Sequence, residues 1–153
     1  MAAKPETRTW VWRFDHPPDR VWPILADTAR WNEAAELPKH QTTDVLQEDG
    51  SVHYFAAMKV GPFTVKWREI PIEWVTEKRF RHCREFLNGP LHSLCATLEM
   101  VADGDGSRVD YTLEIIPANI LGRLMIRFGF MDRTEKTFTR LTESVAAHCA
   151  PRV

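Results

Sequence analysis

This chain of 153 residues has no surplus of either charge: Lys and Arg number 20 against 21 Asp and Glu, a formal net charge of −1. The two signs are interspersed along the sequence, so no one-signed field draws it to nucleic acid or to an anionic membrane. Long apolar runs are missing, which excludes a transmembrane helix. Residues 1–7 contain no apolar core segment, so a secretory leader is not expected there. Cysteine is scarce: three residues, an odd number with no pairing rhythm, as expected of reduced thiols in a cytoplasmic protein. Repeats, low-complexity stretches and linkers are absent, and the length suits one domain over residues 1–153.

The catalogue of chemical motifs is equally thin. His82-Cys83, His92, Cys95 and His148-Cys149 lack the tight Cys-x-x-Cys or His-x-x-x-His spacing of zinc sites, so no metal is expected. Adjacent strand residues such as His82 and Cys83 also point to opposite faces. Ser93 and Cys95 lie near His92, but no nucleophile elbow frames them. Asp103 with Asp105, and Glu33 with Glu36, fall at a hairpin tip and on a surface helix. A phosphate-cradling loop is missing, and no cofactor is implied. The run from Arg79 to Arg84 mixes bases and an aromatic as RNA-binding strands do, yet the balanced charge argues against nucleic acid.

Aromatic residues are plentiful, with six Trp and eight Phe. Trp10, Trp12 and Phe14 alternate on one face of a strand over residues 8–14. The Pro17-Pro18-Asp19 cluster then opens a helix that Pro23 limits to two or three turns. A second short helix is expected over residues 29–35. From residue 41 to 117 the period is two, giving six further strands joined by short connections and therefore antiparallel. Asp49-Gly50 and Asp103-Gly104 mark two of the hairpins, and Asn88-Gly89-Pro90 marks another turn.

After Pro117 the period becomes helical. Leu121, Leu124, Phe128, Met131, Phe138, Leu141 and Val145 trace one stripe. That predicts a helix of about 30 residues, from residue 119 to about 148 and roughly 45 Å long. Gly122 and Gly129, one heptad apart, allow either close approach to the sheet or a bend. The fold class is α+β: a seven-stranded antiparallel sheet curled around a long C-terminal helix.

That order of elements resembles the START-like, or SRPBCC, superfamily with its helix-grip fold. The stretch from Trp22 through Trp31 to Ala35 is similar to the opening of domains that precede class III nucleotide cyclases. The segments Trp67-Arg68-Glu69-Ile70-Pro71-Ile72-Glu73-Trp74 and Arg84-Glu85-Phe86 point the same way, although Glu36 stands where such domains carry Gly before Leu-Pro. The resemblance implies non-catalytic binding of a small hydrophobic or amphipathic molecule, with a cyclase domain as partner, and it leaves a homodimer open. An enzyme like the polyketide cyclases and dehydratases, with His82, Glu69 or Tyr111 as acid–base groups, is the alternative. A protein-docking module is a third.

Alternation selects the candidate site. Phe80, His82, Arg84 and Phe86 share one strand face; Phe63, Val65, Trp67 and Glu69 share another. If the aromatics point inward, Glu69 meets Arg84, because buried charge is tolerated only when paired. The pair reads either as a polar anchor for a ligand head group, with His82 as donor or acceptor, or as a structural ion pair. Leu98 and Tyr111 from the last strands, with Leu124, Phe128 and Met131 of the helix, are expected to line the apolar part of the cavity. Trp10, Trp12 and Trp67 are expected to be buried.

Overall fold

The structure, a computed structural model, describes residues 3–39 and 41–150. Alternation and turn chemistry lay down the sheet. Its strands are β1 (Glu6–Phe14), β2 (Gln41–Leu46), β3 (Val52–Val60), β4 (Phe63–Val75), β5 (Arg79–Phe86), β6 (Leu91–Asp103) and β7 (Gly106–Pro117). Gly50 and Gly104 adopt the left-handed conformation (φ 85° and 59°) that closes the β2–β3 and β6–β7 hairpins. The seven strands form one sheet in the order β1-β7-β6-β5-β4-β3-β2, every neighbouring pair antiparallel. This is the expected α+β helix-grip arrangement.

Between β4 and β5 the register shifts by one residue across Ile70-Pro71-Ile72-Glu73. Proline has no N–H to give to a ladder and is at home in such a bulge. Beyond the bulge Glu73 stands opposite Arg81; before it, Glu69 stands opposite Arg84.

Helices α1 (Pro18–Leu25) and α2 (Thr28–Ala34) follow β1. Pro18 sits in the first turn of α1, where a missing N–H costs nothing. The Asp27 carboxylate caps α2 by accepting from the Ala29 and Arg30 amides. Val21, Trp22, Ile24 and Leu25 of α1 are buried, and the Trp22 ring meets Trp74 edge-on at 5.2 Å. After α2, Glu36 takes a left-handed φ of 55°, so the position where glycine was missed keeps the glycine conformation.

The C-terminal helix departs from expectation. It comes as α3 (Ile120–Met125), a five-residue π-type turn (Ile126–Phe130) and α4 (Met131–Cys149). Phe128 and Gly129 leave helical dihedrals at the break, which re-phases the apolar stripe. Phe138, Leu141 and Val145 are buried against the sheet, whereas Leu121, Leu124 and Phe128 are 65%, 47% and 74% exposed. Gly122 serves close approach: a Cβ there would stand 2.0 Å from the Pro90 carbonyl oxygen. Phe138 stacks on Trp12 with centroids 3.4 Å apart. Trp10 and Trp67 are buried, while Trp12 is half-buried beneath that ring.

The cysteines also depart from expectation. Cys83 and Cys95 are directly opposite on β5 and β6 and form a disulfide, with Cα atoms 4.1 Å apart; Cys149 is a buried free thiol. The cysteine count therefore ceases to argue for a reducing compartment. Among the described residues no helix is long and apolar enough to cross a membrane.

Candidate functional site

The alternation of β4 and β5 turns Trp67, Glu69, His82 and Arg84 to one face, and the register brings them together. Glu69 is the hub. Its Oε1 accepts from Trp67 Nε1 at 2.6 Å and from Arg84 Nε at 3.2 Å, while its Oε2 is hydrogen-bonded to His82 Nε2. The Arg84 guanidinium also lies 5.1 Å above the centre of the Trp67 ring, a cation–π contact. The side chains of Glu69, His82 and Arg84 are only 20%, 14% and 19% exposed.

Burial by itself would raise the Glu69 pKa. The hydrogen bond to His82, the charge of Arg84 and the Trp67 indole outweigh it, holding the carboxyl at about 2, down from 4.5. Glu69 is therefore a carboxylate at any ordinary pH. An ionised Glu69 accepts from His82 Nε2, which leaves Nδ1 as the ring nitrogen turned away from the carboxylate. Among the described residues Nδ1 has no hydrogen-bond partner.

His82 and Arg84 form one side of a cavity of about 140 Å³ between α2, strands β5 to β7 and the start of α4. On the same inner face of the sheet Tyr111 of β7 completes this wall, and Trp31 of α2 stacks on it, with centroids 4.7 Å apart and planes 19° apart. The Trp31 indole is fixed by its hydrogen bond to the Leu25 carbonyl, 2.7 Å. Phe80, Leu94, Leu113 and Phe130 supply apolar wall, and Thr134 and Thr137 line the α4 side. Burial pushes the Tyr111 phenol up, with the Arg84 charge opposing weakly, so Tyr111 stays a protonated donor. A second hollow, about 290 Å³, lies among β2, β3 and β4 beside Phe55, Lys66 and Leu87. It is the larger of the two, but Lys66 is its single charged group, whereas the smaller cavity gathers His, Arg, Tyr, Thr and Asn side chains.

Of the residues expected at the site, His82, Arg84 and Tyr111 line the cavity, and Trp67 and Glu69 stand directly behind them. Leu98 is buried in the core outside the cavity lining. Met131 packs against the core edge. Leu124 and Phe128 do not reach the cavity at all, because the break in the C-terminal helix turns them outward. Trp31, Phe130, Thr134 and Thr137 were missed. Trp31 lay within the Trp22–Ala35 motif, which was a signal; the α4 residues emerge only from the helix break. Among the described residues no three His, Cys, Asp or Glu side chains come together as a metal site requires.

Residues 9–150 match the family described as polyketide cyclase / dehydrase and lipid transport, and the chain belongs to that family. No curated protein matches the chain in sequence. Its fold is shared with TTHA0849 from Thermus thermophilus, at 21% identity and a TM-score of 0.65, over 95% of this chain and 100% of that one. The ZhuI aromatase/cyclase from a Streptomyces species aligns over 97% of this chain and 99% of that chain, with 10% identity and a TM-score of 0.69. The di-domain aromatase/cyclase StfQ of the steffimycin biosynthetic pathway is similar over 94% of this chain and 52% of its own, at 9% identity and a TM-score of 0.62. The expectation of a non-catalytic protein is thereby overturned: the matched family is described by its cyclases and dehydrases, and aromatase/cyclases share the fold.

Proposed function

With that family as premise, we propose that the chain is an acid–base catalyst of the cyclase/dehydratase kind. Its substrate is a small, largely apolar carbonyl compound, or the reactive end of a longer one. A cavity of about 140 Å³ is below the roughly 300–1,000 Å³ of drug-sized sites. The observation that carries the reading is the His82–Glu69 pair: a buried, permanently ionised carboxylate holds the imidazole of a cavity-lining histidine in one tautomer. Such a pair suits a general base.

In the proposed reaction, His82 Nδ1 takes a proton from carbon next to a carbonyl. The imidazolium that forms is stabilised by Glu69. The resulting enolate oxygen accepts hydrogen bonds from Tyr111 and Arg84, both donors on the same wall. The enolate carbon attacks a second carbonyl of the substrate, forming the carbon–carbon bond, and the new alkoxide is protonated by the imidazolium. Loss of water then repeats the exchange: His82 removes the neighbouring proton and its imidazolium protonates the departing hydroxide. The protons balance with no external oxidant or reductant. Trp31 and Phe130 give the apolar walls that exclude competing water.

The test uses a short linear triketone ester, following appearance of its aromatic ring by absorbance. Wild type should accelerate ring formation, and His82→Gln should lose about 100- to 10,000-fold in rate while keeping its unfolding midpoint within a few degrees. A His82→Gln variant as fast as wild type would sink the assignment. Native mass spectrometry of the purified chain gives a second reading, through any small molecule that stays bound. The finer likeness to domains preceding class III cyclases is supported by the Trp22–Ala35 motif, which forms α1 and α2.

A further inference from the structure

Charges that balance over the whole chain do not balance at its two ends. Because the strands are antiparallel, the β3–β4 and β5–β6 connections and the start of α3 emerge at one end of the sheet. The β2–β3, β4–β5 and β6–β7 connections emerge at the other. That second end carries Glu48, Asp49, Glu77, Asp103 and Asp105, against Lys78 in the β4–β5 turn. At the first end, residues 59–66, 87–92 and 118–131 contain no Asp or Glu, and they contain Lys59, Lys66, Arg123 and Arg127, all exposed; the carboxylates at its margin are Glu6, opposite Ile115, and Asp132, 3.9 Å from Arg8.

Large apolar side chains stand among those cations. Phe63 is 73% exposed on the β3–β4 hairpin, between Lys59 and Lys66, and Leu87 is 60% exposed on the neighbouring turn. Leu121 and Phe128, at 65% and 74%, project beside Arg123 and Arg127. The three segments are braced into one platform. The Asn88 side chain accepts from the Lys66 amide at 2.8 Å and donates to the Thr64 carbonyl at 2.9 Å. On the other side Gly122 lets α3 press onto Pro90, and the Ala118 amide bonds to the Pro90 carbonyl at 2.9 Å.

We propose that this end docks on the surface of an anionic lipid bilayer. The apolar tips enter the interfacial layer while the lysines and arginines meet the headgroups, the arrangement of interfacial anchors. The tips come from three separate connections: Phe63 with Val60 on the first, Leu87 on the second, and Ile120, Leu121, Leu124 and Phe128 along the third. A fluid surface accepts such a set without shape complementarity, whereas a protein partner would need a matching hollow for each. Phe128 lies two residues from Phe130, which lines the cavity, so docking would hold the cavity close to the bilayer. The proposal does not rest on the acid–base reading of that cavity.

The test is co-sedimentation of the full chain with phosphatidylcholine vesicles, alone and mixed with an equal part of phosphatidylglycerol. Binding should favour the mixed vesicles by about tenfold or more and should weaken as salt is added. Arg123→Gln with Arg127→Gln should lower partition to the mixed vesicles by about thirtyfold. Phe63→Ser with Phe128→Ser should reduce binding to the phosphatidylcholine level or below. All four positions are exposed, so unfolding midpoints serve as the control, and the charge and apolar pairs test the surface independently. Absence of binding, equal binding to both vesicle types, or variants that bind like wild type would overturn the proposal. So would a stable dimer, seen by light scattering, that Phe63→Ser with Phe128→Ser dissolves, since a second copy would then cover this end.

Discussion

The β4–β5 ribbon carries two cross-strand ion pairs a single residue apart, one on each face. On the outer face Arg68 Nη2 and Glu85 Oε2 stand 2.6 Å apart, with side chains 32% and 50% exposed. On the inner face Arg84 Nε and Glu69 Oε1 stand 3.2 Å apart and are about a fifth exposed. Distance alone would rank the outer pair stronger. Environment reverses the ranking: the outer charges are shared with water and salt, whereas Glu69 collects three donors in a region water scarcely reaches. Separation is a poor guide to what an ion pair contributes; desolvation and the number of partners decide.

The largest test of this contrast is Glu69→Gln. The fall of its pKa from 4.5 to about 2 corresponds to about 3 kcal/mol of native-state stability at neutral pH. The variant should therefore unfold at clearly lower urea concentration. The same quantity has a signature in acid. A depressed carboxyl stabilises the fold fully above pH 4.5, and that contribution disappears as pH falls toward about 2. Wild type should lose stability across that window more steeply than Glu69→Gln, and parallel curves would remove the inner pair from the comparison.

Next in size is a double-mutant cycle on Glu69 and Arg84, where neighbours sharing a network should couple by about 1–3 kcal/mol. Trp67→Phe keeps a ring beneath Arg84 but deletes the indole donor to Glu69; a hydrogen bond to a charged partner is worth about 1.5–3 kcal/mol, and the loss should sit near the lower figure. Smallest is the same cycle on Arg68 and Glu85, expected at about 0–1 kcal/mol. An outer coupling equal to the inner one, measured by chemical unfolding, would break the contrast.

Much of this was legible in the sequence. Period-two alternation and the Asp-Gly turns give the seven strands, and shared strand faces place Glu69 against Arg84. The cross-strand cysteines left a trace that went unread: Cys83 and Cys95 are equidistant from Gly89, at the centre of the recognised Asn88-Gly89-Pro90 turn, which is the mark of opposed residues in a hairpin. The C-terminal helix was misjudged for a physical reason. A count of apolar residues at helical spacing assumes constant phase, and the π-type turn at 126–130 changes it, sending Leu124 and Phe128 outward and Phe130 toward the cavity. Aromatic stacking of Trp31 on Tyr111 depends on how α2 lies over the sheet, which no periodicity encodes.

The bulge at Pro71 can be restated as a matter of reading frame. Continued without interruption, the pairing that sets Glu73 opposite Arg81 would set Glu69 opposite Glu85, two like charges face to face. It would also put Glu69 and Glu73, four residues apart on one strand, on the same side of the sheet. The offset sends one glutamate to each side and delivers Glu69 to Arg84 and His82. The identity of the site residues is thus only half of the site's specification; the other half is the number of residues between Ile70 and Glu73. A chain that kept every one of those side chains but dropped a single residue from that stretch would carry the same chemical groups and lose the address that assembles them.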